Sequence, residues 1–355
     1  MKKTILLKVN PRKPEMDEIH VAAALIKSGG LVAFPTETVY GLGADALNPK
    51  AVRALFAAKK RPPDNPPIVH ISNAKDVHKM AKGIPCDAEK LMKAFWPGPL
   101  TLIFKRSPIV PDETVCGLST IAIRMPRHNV ALALIKESGC PIAAPSANLA
   151  GKPSPTSAKH VMEDLEGRID AVLDGGPTRI GVESTVLDLT VDPPEVLRPG
   201  GTSLEKLKTV MKQVVLNPVV TAEEPVPLKQ VRSPGLKHKH YAPKADLIVV
   251  EGDLEAVAKK IIELTRHYIG SGRKVGILAT DEAAGRYAVC NVKSMGSRSN
   301  SATAARNLFR LLREFDSEVV DIILAEGVPT KGLGLAVMNR LRKASGYTII
   351  KTDNG

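Results

Sequence analysis

The residues able to do chemistry gather in two well-separated segments. One is Lys59-Lys60-Arg61-Pro62-Pro63-Asp64-Asn65-Pro66, followed by Ile68-Val69-His70. The other is Pro145-Ser146-Ala147-Asn148, followed by Lys152-Pro153-Ser154-Pro155-Thr156. Each stands where an apolar stretch gives way to a turn, and each is dense in groups that bind anions. The prolines fix the backbone, so the cationic side chains lose less freedom on meeting a phosphate. Arg61 offers a planar fork and Lys59 a point charge. Ser146, Asn148 and Ser154 add hydroxyl and amide groups beyond the strand Ile142-Ala143-Ala144, where open α/β sheets place their ligands. Together these residues point to a nucleoside-triphosphate site.

Further polar groups stand at other strand ends. Thr36, Glu37, Thr38 and Tyr40 follow the buried run 30–34. Arg124 closes the run Ile121-Ala122-Ile123, where an arginine is costly unless it meets a carboxylate or phosphate. Glu183-Ser184-Thr185 and Arg198-Pro199-Gly200 mark two more boundaries. His70 has no partner in sequence, and no nucleophile is paired with a base. Such a set suits reactions governed by positioning and electrostatics, phosphoryl or nucleotidyl transfer among them. No G-x-x-x-x-G-K-[ST] occurs, so the site is not a P-loop. Gly332-Leu333-Gly334 is an incomplete dinucleotide fingerprint and reads better as a helix start.

The elements that must carry these groups follow from periodicity. Strands are expected at 30–34, 67–71, 100–104, 120–124, 141–144, 171–173, 184–189 and 195–197. Helices are expected near 15–28, 49–60, 87–95, 128–138, 157–166 and 203–213, with Asn48 and Pro49 opening the second. This predicts an α/β catalytic domain over 1–213 with a large, twisted, mixed sheet flanked by helices. Residues 214–244 are broken by Pro218, Pro225, Pro227, Pro234 and Pro243 and read as a linker. Residues 245–355 resume regular strand–helix alternation, which predicts a smaller Rossmann-like α/β domain.

Composition bounds the partners. The 355 residues carry a formal net charge of +13, which suits nucleotides, RNA or acidic metabolites or else reflects a generally basic proteome. Aromatic residues are only 3%, which argues against a stacking platform for single-stranded RNA. No apolar run nears the roughly 20 residues of a membrane span. Met1 to Lys8 meets a charge after three apolar residues and reads as a first strand instead of a secretory signal. Cys86, Cys116, Cys140 and Cys290 form no C-x-x-C, so a reduced, cytoplasmic protein without a zinc site is expected.

The motifs recur in a known order. Pro35-Thr36-Glu37-Thr38-Val39-Tyr40-Gly41-Leu42-Gly43, Lys59-x-Arg61-Pro62, Asn65-Pro66, Trp96-Pro97-Gly98-Pro99-Leu100-Thr101 and Arg124-x-Pro126 come first. Ser146-x-Asn148, Pro153-Ser154-Pro155-Thr156, Glu183-Ser184-Thr185-Val186 and Leu197-Arg198-Pro199-Gly200 follow. The chain resembles, over nearly all its length, the YrdC-like threonylcarbamoyl-AMP synthases in their long form with a C-terminal domain. The resemblance implies formation of threonylcarbamoyl-AMP and pyrophosphate from L-threonine, bicarbonate or CO2, and ATP with Mg2+. The product would pass to a downstream threonylcarbamoyl transferase acting on tRNA, and a weak tRNA contact is compatible with the charge.

By the same resemblance Thr36, His70, Arg124, Ala144 (through its backbone) and Ser184 would hold threonine, with Arg124 on its carboxylate. Lys59, Arg61, Asn65, Thr120, Ser146, Asn148, Ser154, Arg198 and His238 would hold ATP. Lys59 and Arg61 would act electrostatically, with no covalent nucleophile, and the ATP phosphates would hold most of the Mg2+. The stretch Ser233–Tyr241 would fold over the nucleotide. This chain has His238 where family members often have Tyr, and Pro67 where Leu is usual. Two other readings are a basic RNA-binding module and a carbamoyl transferase of hydrogenase maturation. The latter carries zinc-finger cysteine pairs and an acylphosphatase-like domain, and neither is present in this sequence.

Overall fold

A computed structural model of the chain describes residues 3–225, 240–287 and 291–352. The chain divides into two units, one holding residues up to Ala150 and Ser154–Val220, the other Gly151–Pro153, 221–225 and the described residues from 240 on. Within the expected linker 214–244, Val215–Leu216 pairs in parallel with Glu195 and Val196 and so still belongs to the first sheet. The segment Ser233–Tyr241 falls largely on residues 226–239, and these, His238 included, lie outside the described residues.

The first unit is built on a 12-stranded mixed sheet. Its path runs Ile5–Lys8, Ala171–Asp174, Val32–Phe34, Gly41–Asp45, Ile142–Ala144, Ile68–His70, Thr120–Arg124, Leu100–Arg106, Thr185–Asp188, Glu195–Arg198 and Val215–Leu216. Ala81–Lys82 pairs on the outside of Leu100–Arg106. Short apolar runs bounded by Pro, Gly and Asp give these short, doubly covered strands. Helices Met16–Lys27 and Asn129–Ser138 bury Ile19, Ile26, Val130 and Leu134 with Val32 and Phe34 of the sheet. Helices Pro49–Lys59 and Ala158–Leu165 bury Leu55, Val161 and Leu165 with Leu42 and Val172.

Strand Gly41–Asp45 was not legible as a strand, because its glycines weaken the pattern. Packing demands them. A Cβ on Gly43 would lie 2.8 Å from Ile142 Cγ2 and 2.9 Å from Phe34 Cε1.

Register places the site. Ile68–His70 and Thr120–Arg124 run parallel, with His70 opposite Arg124. Ile142–Ala144 runs antiparallel to the former, with Ala144 opposite Ile68. A bridge between Gly41 and Ser146 brings the turn after Val32–Phe34 to the loop that follows Ala144.

The second unit is a five-stranded sheet whose pairings are all parallel. It contains helices Leu254–Gly270, Ser301–Ser317 and Gly334–Ala344. The α/β alternation matches expectation, but the strand order has its own pattern: Ile322–Glu326 sits between Asp246–Glu251 and Val275–Ala279. Edge strand Asn291–Ser294 had no apolar run to announce it. At the strand ends Glu326, 0% exposed, accepts from Thr280 N at 2.8 Å, Thr280 Oγ1 at 2.6 Å and the Tyr287 hydroxyl at 2.6 Å, so its charge is well satisfied.

Candidate active site

Helix Pro49–Lys59 delivers the first cation. Asn48 caps it, its side chain accepting from Lys50 N at 3.0 Å and Ala51 N at 3.3 Å. The helix stops where Lys60 turns left-handed, at φ 52°. Lys59 faces inward at 1% exposure, and its Nζ donates to the backbone oxygens of Ser146 and Asn148. Its own carbonyl accepts from Ala150 N at 3.0 Å. Lys59 therefore clamps the 146–150 loop from both ends and joins the two sequence segments. Arg61 Nε donates to Asn65 O at 3.0 Å, which closes the proline-framed turn on itself. Asn65 is 1% exposed, and its Oδ1 finds no donor among the described residues.

Arg124 is the second buried cation. Nε donates to Gly98 O at 3.1 Å and Nη1 to Thr38 Oγ1 at 3.0 Å. Nη2 lies 2.6 Å from Glu37 Oε2, both side chains being almost fully buried. The expected substrate carboxylate thus has a protein carboxylate as neighbour. Thr36 Oγ1 donates to Val39 O at 2.6 Å and pairs with Thr38 Oγ1 at 2.8 Å, completing a tight hydroxyl turn beside the guanidinium.

The third cation is Arg198, at 4% exposure. It donates to Ser184 O from Nε at 3.1 Å and Nη2 at 3.0 Å, and to Ser184 Oγ at 3.1 Å. Ser184 Oγ also pairs with Thr101 Oγ1 at 2.8 Å. Ser154 Oγ donates to Glu183 Oε1 at 2.6 Å. Asn148 Nδ2 donates to Leu149 O at 2.8 Å, so that amide shapes its own loop.

Register or hydrogen bonds join most of the expected residues into neighbouring groups. Thr120 is the outlier: it begins its strand opposite Lys105, four residues from Arg124 on the same strand. Glu37, Thr38, Thr101 and Glu183 were not among the expected ligands. The signal that could have found the carboxylates is their place at buried strand ends next to hydroxyl residues.

His70 is 3% exposed, and its Nδ1–H donates to Ile68 O at 3.1 Å. Burial, helped by the Arg124 charge, lowers its pKa from 6.5 to about 3. Burial also lowers His128 to about 4, with Glu37 opposing and Arg179 assisting. Both rings are neutral near pH 7, so His70 binds or packs as a neutral imidazole. The stability that depends on these neutral rings is complete above about pH 6.5 and is lost as the pH falls towards those lower values. Denaturant unfolding is expected to show lower stability at about pH 5 than at about pH 7, with a smaller drop in His70→Asn. An equal drop in that variant would remove His70 as a cause.

A cavity of about 870 Å³ opens beside Thr36 and is lined by Lys8, Arg12, Arg127 and Arg179 against a single carboxylate, Asp174. Such a rim draws anions toward the site. Among the described residues no group of three or more His, Cys, Asp or Glu could hold a metal ion, and no helix is long and apolar enough to cross a membrane.

A family model described as "Telomere recombination" matches residues 24–200, and one described as "Threonylcarbamoyl-AMP synthase, C-terminal domain" matches 202–346. The threonylcarbamoyl-AMP synthase of Pyrococcus abyssi is 52% identical over 98% of this chain and 99% of its own length. The chain belongs to the threonylcarbamoyl-AMP synthase family. The Bacillus subtilis member is 50% identical, covering 94% of both chains. A crystal structure of P. abyssi Sua5 complexed with L-threonine superposes with a TM-score of 0.93 at 51% identity, covering 99% of this chain and 100% of that one. The synthase family thus accounts for both units, in the long two-domain form.

Proposed function

We propose that this chain is an L-threonylcarbamoyladenylate synthase, joining carbamoylated L-threonine to the AMP moiety of ATP with release of pyrophosphate. The observation that carries this is the set of buried cations without a nucleophile. Lys59, Arg124 and Arg198 lie at 1%, 3% and 4% exposure, the two arginines at strand ends among the hydroxyls of Thr36, Thr38 and Ser184, and Arg124 beside the neutral His70. A cluster of positive charge and hydroxyl donors of this kind suits a triphosphate, a carbamate and a carboxylate. The near-full-length match to named synthases favours this reading over an RNA-binding module or a hydrogenase-maturation carbamoyl transferase.

The threonine amine takes up bicarbonate or CO2 as a carbamate. A carbamate oxygen then attacks the α-phosphorus in line, and pyrophosphate departs. Thr36, His70, Arg124, the Ala144 backbone and Ser184 hold threonine. Lys59, Arg61, Asn65, Thr120, Ser146, Asn148, Ser154, Arg198 and His238 hold ATP. Asn65 Oδ1, buried without a donor among the described residues, is suited to accept from an adenine amino group or a ribose hydroxyl. Mg2+ prefers oxygen ligands, so the triphosphate itself would hold most of it, and when bound it would supply charge neutralisation there. The product serves a downstream transferase that modifies tRNA, in the cytoplasm.

Pyrophosphate release from ATP is expected to require both L-threonine and bicarbonate. Release without either co-substrate would overturn the reading. Serine should be poorer than threonine in kcat/KM by about 10- to 200-fold, the worth of one methyl in a fitted pocket. Equal turnover of the two would reject such a pocket.

A further inference from the structure

Glu37 follows strand Val32–Phe34, is 2% exposed, and is held to the loop before strand Thr185–Asp188 by its carbonyl, which accepts from Ile180 N at 2.9 Å. Its Oε2 stands 2.6 Å from Arg124 Nη2, yet neither carboxylate oxygen accepts a hydrogen bond from a described residue. The hydroxyls on either side are committed elsewhere. Thr36 donates to Val39 O, and Thr38, which accepts from Arg124 Nη1, pairs with Thr36 Oγ1. His128, a titratable ring that feels Glu37, is neutral near pH 7. A buried carboxylate held by one ion-pair contact and no hydrogen bond lacks donors that a ligand would supply.

The neighbouring guanidinium defines that ligand. Arginine has five N–H groups. Arg124 spends Nε on Gly98 O and one N–H of Nη1 on Thr38. A cation with N–H groups to spare beside a carboxylate lacking donors is the charge complement of an α-amino acid zwitterion.

We propose that Glu37 binds the α-ammonium of the substrate amino acid and takes its proton when the amine is carboxylated. This rests on the reading that Arg124 receives the α-carboxylate. The ammonium gives one proton to the Glu37 carboxylate, leaving a neutral amine. The nitrogen lone pair forms the N–C bond to bicarbonate carbon, and the C–OH bond breaks. The departing hydroxide takes the proton from Glu37 and leaves as water. The second N–H proton passes to solvent as the carbamate forms, and Glu37 is again ionised.

The test is calorimetric titration of the full chain with L-threonine and with its analogue bearing an α-hydroxyl in place of the ammonium. Wild type is expected to favour threonine by about 10- to 100-fold, the worth of a charged hydrogen bond. Glu37→Gln should cut that preference to about threefold or less while moving analogue affinity by no more than about threefold, and Glu37→Asp should restore part of it. Retention of the full preference in Glu37→Gln, or equal weakening of both ligands, overturns the role of Glu37. Arg124→Met separates the two readings. If it weakens both ligands alike, the carboxylate site stands whatever Glu37 shows; if it weakens neither, the carboxylate reading fails and this proposal with it.

Discussion

Arg124→Ala is expected to weaken L-threonine binding by about 2–5 kcal/mol, roughly 30-fold to several thousand-fold. The same variant should lower the stability of the free protein by about 3–5 kcal/mol, because Glu37 would keep a buried charge without its cation. Gly98 O and Thr38 Oγ1 would also lose their donor. The two losses separate in a double variant. Arg124→Met with Glu37→Gln removes both charges, and stability should largely return while threonine affinity does not. Titration calorimetry reads the first quantity and denaturant unfolding the second. Unchanged threonine affinity in Arg124→Ala would sink the carboxylate role, and unchanged stability would show the Glu37 pair to be energetically idle.

Much of this site was legible because its anchors are local. Asn48-Pro49 signals a helix start and Lys60 falls just past its end, so the position of Lys59 followed from chain-local chemistry. Ile121-Ala122-Ile123 before Arg124 likewise reads as a strand delivering a cation. What the cations touch was not legible. The Glu37–Arg124 contact depends on which strands pair, and register is a non-local property set by the assembled core. Strand Gly41–Asp45 failed for the opposite reason: its glycines lower strand propensity locally, and their use appears only once Ile142 and Phe34 press on them. In the second unit the alternation of strands and helices told the class. The insertion of Ile322–Glu326 between the first two strands could not be read, since every parallel order has the same local pattern.

Lys59→Met should reduce both turnover and stability, and the coupling is what distinguishes its role from that of Arg61. A cation that served only ATP would be repelled by its fellow cations in the free protein, and its loss would leave the fold unharmed or firmer. Lys59 instead donates to the backbone oxygens of Ser146 and Asn148 at 1% exposure, so its removal strands one buried and one half-buried acceptor. A buried group left unsatisfied costs about 1–3 kcal/mol, so unfolding free energy should fall by about that amount or somewhat more. Pyrophosphate release should fall on the order of 10²–10³-fold, as when one preorganised electrostatic group is lost. Arg61 is only partly buried, and its Nε donates to Asn65 O within its own turn. Arg61→Gln, at this more exposed position, should therefore depress turnover while lowering stability less than Lys59→Met does. A Lys59→Met protein that melts like wild type would refute the clamp, and one that turns over like wild type would refute the ATP role. Observing both losses for Lys59, with the larger stability loss there than at Arg61, would mean that the 146–150 loop is held in its ATP-binding shape by the same charge that meets the phosphates.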